Sequence, residues 1–280
     1  MIRIVRGSPA TLTAVFYVDD APADLDAVPT VTVTRVDGSQ VATGAATRTG
    51  LGTYIYTLPA QSQLAVLTAD WSGVLNGGAV STETYAEVVG AEYFSIAELR
   101  AFDSVLSNTT RYPDSKLKAA RLAVESEFEG ICGRSFVPRY AREVLYGDGN
   151  GVLWLANPEP LRVISCTVNG EDWSAKEFTR PDYNLRVLGL PMWEYWPRDA
   201  QVVLEYEYGK PEAPIRIKQA AMKRAKYTLV SDQSRIDERA TTMNIPDFGN
   251  FVLATPGMRG SYTGIPEVDV VLQDYVIGSL

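Results

Sequence analysis

The side chains able to do chemistry in this chain are few, and their types narrow the possibilities quickly. The sequence has 280 residues with 2 Cys and 0 His. Without an imidazole there is no Ser/His or Cys/His nucleophile pair, and no side chain that titrates near neutrality on its own. Two thiols and no histidine cannot complete the four-ligand set of a structural zinc site. No catalytic residue, metal site or cofactor is therefore assigned. Carboxylate-only chemistry survives this filter, because a glycosidase needs only two positioned acids.

Four constellations remain. Gly147-Asp148-Gly149-Asn150-Gly151 lacks the Lys and Ser/Thr of a phosphate-binding loop and the alternating acids of a calcium loop, so it reads as a hairpin connection. Met192-Trp193-Glu194-Tyr195-Trp196 places three aromatics around one acid. That pattern suits a carbohydrate platform or a glycosidase carboxylate, and equally an aromatic loop that covers a sheet edge or meets a neighbouring subunit. Glu205 and Glu207 would share one face of a strand and read as the outer side of a half-exposed element. Lys210, Arg216, Lys218, Lys223, Arg224 and Lys226 stand against the single acid Glu212. This basic stretch would contact DNA phosphates, pair with acids of a partner, or form a solvated helix face.

Composition sets the frame for these residues. Hydrophobic residues make up 46% and charged residues 21%, the profile of a folded chain long enough for two domains. The net charge of −8 argues against broad non-specific DNA affinity. No apolar run approaches the ~18 residues that span a bilayer. Met1 to Arg6 lacks the apolar core and cleavage site of a signal peptide, so use without export is expected. Cys132, at a helix end, and Cys166, in a strand, are expected to be buried free thiols, with a disulfide between them as the alternative.

Residues 1–90 read as all-β. Thr11–Val18, Val31–Val36, Gly52–Leu58, Leu67–Gly73 and Thr82–Val89 alternate or are rich in β-branched and aromatic residues. Asp37-Gly38 is a hairpin turn signal, and Tyr54, Tyr56 and Leu58 fall on one face. Six or seven short strands predict a small sandwich. Further strands are expected at Tyr140–Tyr146, Val152–Leu155, Arg162–Val168, Asn184–Leu188 and Gln201–Tyr208, with Asn169-Gly170 as a two-residue turn.

Between these regions, Tyr93 to Gly133 predicts two helices. Ser95 and Glu98 form a capping box, and Phe94 and Leu99 occupy the positions of a hydrophobic staple. Pro113-Asp114 opens the second helix and Gly133 closes it. Leu117, Ala120, Val124, Phe128 and Ile131 make its apolar face, while Lys116, Lys118, Arg121, Glu125 and Glu129 take the others. Pro214 opens a third helix reaching about Val230, with Ile217, Ala221, Ala225 and Leu229 as its stripe. The pattern then dissolves until Pro266-Glu267 starts a last short helix whose apolar face is Val268, Val271, Leu272 and Tyr275.

The order Tyr112-Pro113-Asp114, then Ala120-Arg121-Leu122-Ala123-Val124-Glu125, then Gly133-Arg134, resembles the head–tail connector (adaptor) proteins of tailed bacteriophages. The resemblance covers roughly residues 93–230, with an echo near 262–276, and leaves out the first ninety residues. Those look like the immunoglobulin-like modules that decorate phage structural proteins, without the Cys pair of antibody domains. The expected fold is α+β: an immunoglobulin-like β-sandwich over 1–90, a mainly helical adaptor domain with a small sheet over 91–233, and an extended C-terminal docking segment over 234–280. The resemblance implies a non-enzymatic virion protein of the neck, made in the host cytoplasm, with no membrane role. It implies a twelve-fold ring of identical copies beneath the portal protein, a following neck protein (stopper) as partner, and DNA only in passage through the channel. Residues expected to meet partners are Arg216, Lys218, Lys223, Lys226, Phe248, Phe251, Val268, Leu272 and Tyr275. A glycan-binding or glycosidase module, and another tail or minor capsid protein, are the alternative readings.

Overall fold

The computed structural model describes residues 1–180, 185–231, 242–245, 249–252 and 262–277. The fold is α+β, with strands dominating the N-terminal half and helices entering after Ser95. Two compact units emerge: Met1–Ala91 with Pro138–Tyr208, and Glu92–Val137 with Gly209–Leu280. The strands that follow the helix pair thus gather with the N-terminal strands, so these units cut the chain differently from linear boundaries at 90 and 233.

The first unit contains a two-sheet sandwich. Its strands are β1 (Ile2–Val5), β2 (Ala10–Val15), β3 (Tyr17–Val18), β4 (Ala21–Pro22), β5 (Thr30–Arg35), β6 (Gln40–Ala45), β7 (Thr47–Gly50), β8 (Thr53–Leu58), β9 (Ala65–Leu75) and β10 (Gly78–Val89). One sheet has the order β1-β10-β9-β5-β6 and the other β2-β8-β7, with β3-β4 as a short separate ladder. Alternation decides which residues face inward. Val31, Val33, Ala69 and Trp71 from one sheet meet Leu12, Tyr54 and Leu58 from the other in a single core. The two large polar-tipped rings are satisfied there: Trp71 Nε1 donates to Thr84 Oγ1 at 2.9 Å, and Tyr54 Oη accepts from the Leu25 N–H at 2.9 Å. Asp37-Gly38 joins β5 to β6 as its turn chemistry predicts, with Gly38 at φ 84°. Gly52 has a stricter reason to be glycine, since a Cβ there would lie 2.7 Å from the backbone of both Phe16 and Ala23.

The remaining strands of this unit are β11 (Arg139–Tyr146), β12 (Val152–Trp154), β13 (Pro160–Val168), β14 (Glu171–Asp172), β15 (Val187–Gly189) and β16 (Gln201–Tyr208). They form a sheet of order β11-β16-β13-β14 and a β12-β15 ladder. Asn169-Gly170 makes the expected two-residue turn, with both residues at positive φ between Val168 and Glu171. The glycine-rich 147–151 segment is not a hairpin loop. It joins β11 and β12, which pair with different partners, and it is tied to the 196–200 segment by backbone bonds such as Gly149 N–H to Trp196 O at 3.1 Å.

Two strand carboxylates, Glu87 and Glu207, are buried. Glu87 on β10 receives the Arg139 guanidinium through Nε and Nη2, the latter at 2.6 Å, with Arg3 Nε 3.9 Å away. Glu207 on β16 takes Arg6 at 3.4 Å and Arg162 at 2.5 Å on the same oxygen. Glu207 therefore does not lie on a half-exposed strand face; two arginines enclose it.

The second unit is built from helices α1 (Ile96–Phe102), α2 (Asp114–Cys132), α3 (Ile215–Ser231) and α4 (Pro266–Gln273), with a 3₁₀ turn at Ser104–Ser107 and a hairpin of β17 (Thr242–Ile245) and β18 (Gly249–Val252). The capping box forms in both directions, with Ser95 Oγ accepting from the Glu98 N–H at 3.1 Å and Glu98 accepting from the Ser95 N–H at 2.7 Å. Phe94 and Leu99 are buried as a staple requires. Gly133 closes α2 in the left-handed region at φ 65°.

Arg121 and Glu125 overturn the expectation that they face solvent, for both are buried. Arg121 donates to the Phe94 carbonyl at 3.0 Å and pairs with Glu92, while Glu125 accepts the Tyr93 N–H at 2.9 Å. One turn apart on α2, they clamp the segment that leads into α1 and satisfy backbone groups that burial would otherwise strand.

The last helix is seated within this unit. Val268 and Leu272 are fully enclosed, Tyr275 meets Phe136 edge-on at 5.5 Å, and the Ile277 N–H bonds the Cys132 carbonyl at 3.0 Å. Asp269 fixes the approach to α4 by accepting from both the N–H and the hydroxyl of Thr263, at 2.8 and 2.7 Å. Both cysteines are buried and unpaired, and burial pushes the thiol of Cys132 up to about 12 and that of Cys166 to about 11.

Candidate partner-binding site

Helix α3 places its charges by simple periodicity. Ile217, Ala221, Ala225 and Leu229 turn inward and are buried, so the intervening Arg216, Lys218, Lys223 and Lys226 must turn outward. The structure brings each of these four cations to an acid of the same unit. Arg216 pairs with Asp274 at 2.7 Å, Lys218 with Glu98, Lys223 with Glu267 and Lys226 with Asp103. Arg224 makes a two-point contact with Glu127 at 2.9 and 3.0 Å. The basic stretch is thus a cationic helix face embroidered with α1, α2 and α4 carboxylates. The Lys218 ammonium, followed by the Ser95 N–H, holds the Glu98 carboxyl down at about 2. Lys226, then the Val105 N–H, likewise holds Asp103 below its usual range.

Between the end of α1, α3 and α4 lies an open groove of about 300 Å³. Phe102, Ala220, Val268 and Val271 give it an apolar floor, and Arg216, Lys223 and Glu267 stand at its rim. Phe102 remains largely exposed there, so the groove offers both apolar area and charge.

Of the other residues expected to meet partners, Val268 and Leu272 are buried in their own unit, and Tyr275 is half-buried against Phe136. Phe251 lies on β18, and Phe248 falls outside the described residues. Periodicity does not single out Phe102, which ends α1 and enters the groove only through packing with α3 and α4.

In the first unit, the 192–196 segment divides its aromatics. Trp196 is buried, stacked between Trp173 and Phe178 with ring centres 6.0 and 6.2 Å away. Met192, Trp193 and Tyr195 project outward at 80, 83 and 61% exposure. Glu194 is held by Lys176 at 2.5 Å. Among the described residues no group of three or more His, Cys, Asp or Glu could hold a metal ion, and no helix is long and apolar enough to cross a membrane.

No family model matches this chain, and no curated protein matches it. Solved structures that match include a chain of the "Neck of empty GTA particle computed with C6 symmetry". It is similar at 17% identity and a TM-score of 0.43, over 67% of this chain and 91% of that one.

Proposed function

We propose that this chain is a structural adaptor of a phage-type neck, with no catalytic role. Copies assemble head to tail into a ring beneath the portal protein, each using one surface against a different surface of the next. The ring, twelve-fold by the family resemblance, joins the head to the following neck protein and lines part of the path by which DNA leaves. The protein resides in the virion.

The observation that carries this reading is the role of the residues behind the resemblance. Pro113-Asp114 opens α2, Gly133 closes it, and Arg121 with Glu125 clamps the lead into α1. Each of these residues builds or braces the helical unit, which supports a structural role. The charge pattern agrees with a conduit. The chain has a net charge of −8, and its α3 cations are paired with its own acids, which leaves these less free to hold DNA by its phosphates.

Native mass spectrometry of the full chain mixed with its portal tests the proposal. Multiples of one chain bound to portal, seen as annuli by electron microscopy, are expected. A chain that stays monomeric and ignores portal would overturn the reading.

A further inference from the structure

The outward aromatics of the 192–196 segment and the groove beside α3 answer one another, and neither is used by the fold that carries it. Trp193 sits at φ 79°, in the left-handed region that a bulky residue rarely occupies. Such a conformation persists only where the surroundings impose it. Here they do. On one side the Glu194 N–H bonds the Pro191 carbonyl at 3.0 Å, and on the other Trp196 is locked in the stack, its N–H bonding Asn150 O at 2.8 Å. Lys176 adds a tie to Glu194 while lying 4.6 Å over the Trp173 ring. The result is a rigid base that presents an indole, a thioether and a phenol to the outside. Rigid, exposed aromatics of this kind are the usual anchors of protein interfaces.

The groove supplies the matching shape. Its volume of about 300 Å³ leaves room for one large side chain against the apolar surface of Phe102 and Val271. The charge distribution decides which partner presents the anchor. The first unit holds 11 Lys+Arg against 19 Asp+Glu, a net −8, whereas the second holds 15 against 15, a net of zero. Two first units repel each other, so a contact of like with like is disfavoured. A first unit meeting a neutral second unit with cations at the groove rim is not. The rim pairs of Arg216 and Lys223 are solvent-exposed and exchange partners at little cost.

From this we propose that Trp193 of one copy, flanked by Met192 and Tyr195, seats in the α1–α3–α4 groove of a second copy of this chain. The proposal deepens the adaptor reading and rests on it. A contact between two different surfaces can pass from copy to copy, as a ring requires, rather than closing after two.

Two measurements on the full chain test it. First, Met192→Cys protein, which keeps Trp193, is mixed with separately tagged Gln219→Cys protein and oxidised, with Ser81→Cys plus Gln219→Cys as the control. Gln219 lines the groove, Ser81 is exposed on β10, and the native thiols are buried, so background is low. The mixed disulfide through position 192 is expected at least ten-fold above the control; equal yields would overturn the proposal. Second, sedimentation compares self-association of the wild type and Trp193→Ala, with a thermal melt to verify folding. A weakening of roughly 30-fold, the size of a hot-spot residue, is expected. Undiminished association of a folded Trp193→Ala protein would overturn the anchor and leave the adaptor reading standing. A wild type that associates neither with itself nor with portal would overturn both.

Discussion

The two units manage charge in opposite ways. In the β unit, Glu87 and Glu207 are buried, each between two arginines that are distant in sequence. In the helical unit, most cations of α3 meet their acids at the surface, where Arg216 and Asp274 are each about half exposed. Dehydration makes the difference. A buried carboxylate depends on its partners to replace lost water, so removing it leaves arginines buried without a counter-charge. An exposed pair exchanges one set of hydrogen bonds for another and gains little. Breaking a buried pair of the β unit from one side is therefore costly, whereas breaking a surface pair of α3 is not.

That contrast is sharpest at Glu87. Glu87→Ala should destabilise the protein by about 3–5 kcal/mol in urea unfolding, because Arg139 and Arg3 lose a shared partner. A change under about 1 kcal/mol would mean that water already reaches the cluster. Next in size is Leu272→Ala, expected to cost about 2–5 kcal/mol if α4 is a core element of its unit. A helix merely resting on the surface would lose far less. At position 193, Gly should be more stable than Ala by about 1 kcal/mol, since only Gly adopts positive φ without strain; equal melting temperatures would refute the strain.

The smallest effects belong to the helical surface. Arg216→Ala should change stability by no more than about 1 kcal/mol, and less at high salt. Acid should act in the same modest way through Glu98. Its carboxyl is held at about 2 when folded, against 4.5 ordinarily. The stabilisation is complete above the ordinary value and disappears as pH falls from about 4.5 through about 2. Because Glu98 is nearly half exposed, screening keeps this contribution small. In Glu98→Gln protein the acid limb of the stability curve should be shallower; an unchanged limb would argue against the Lys218 pair.

What the sequence made legible was local. The Asp37-Gly38 and Asn169-Gly170 turns, the Ser95/Glu98 box, the Gly133 terminus and the α3 stripe each rest on residues a few positions apart, where stereochemistry decides the outcome. What stayed hidden was charge whose partner is distant. Glu87 and Arg139 lie 52 positions apart, and Arg6 and Glu207 lie 201 apart. In sequence a buried charge looks the same as a solvated one, which is why the pattern places Arg121, Glu125 and Glu207 at the surface. The groove was hidden for the same reason, because Phe102, Ala220 and Val271 come together only when three helices pack. The loop at 147–151 shows the converse error, where glycine content predicts a turn without revealing which strands it joins.

The central claim is that this chain exists to meet other chains at a neck. Electron microscopy of the intact particle, with this chain located by a tag on its exposed surface, tests that claim most directly. The account predicts a ring of copies at the collar beneath the capsid vertex that holds the portal. Density for the tag anywhere else on the particle would contradict it.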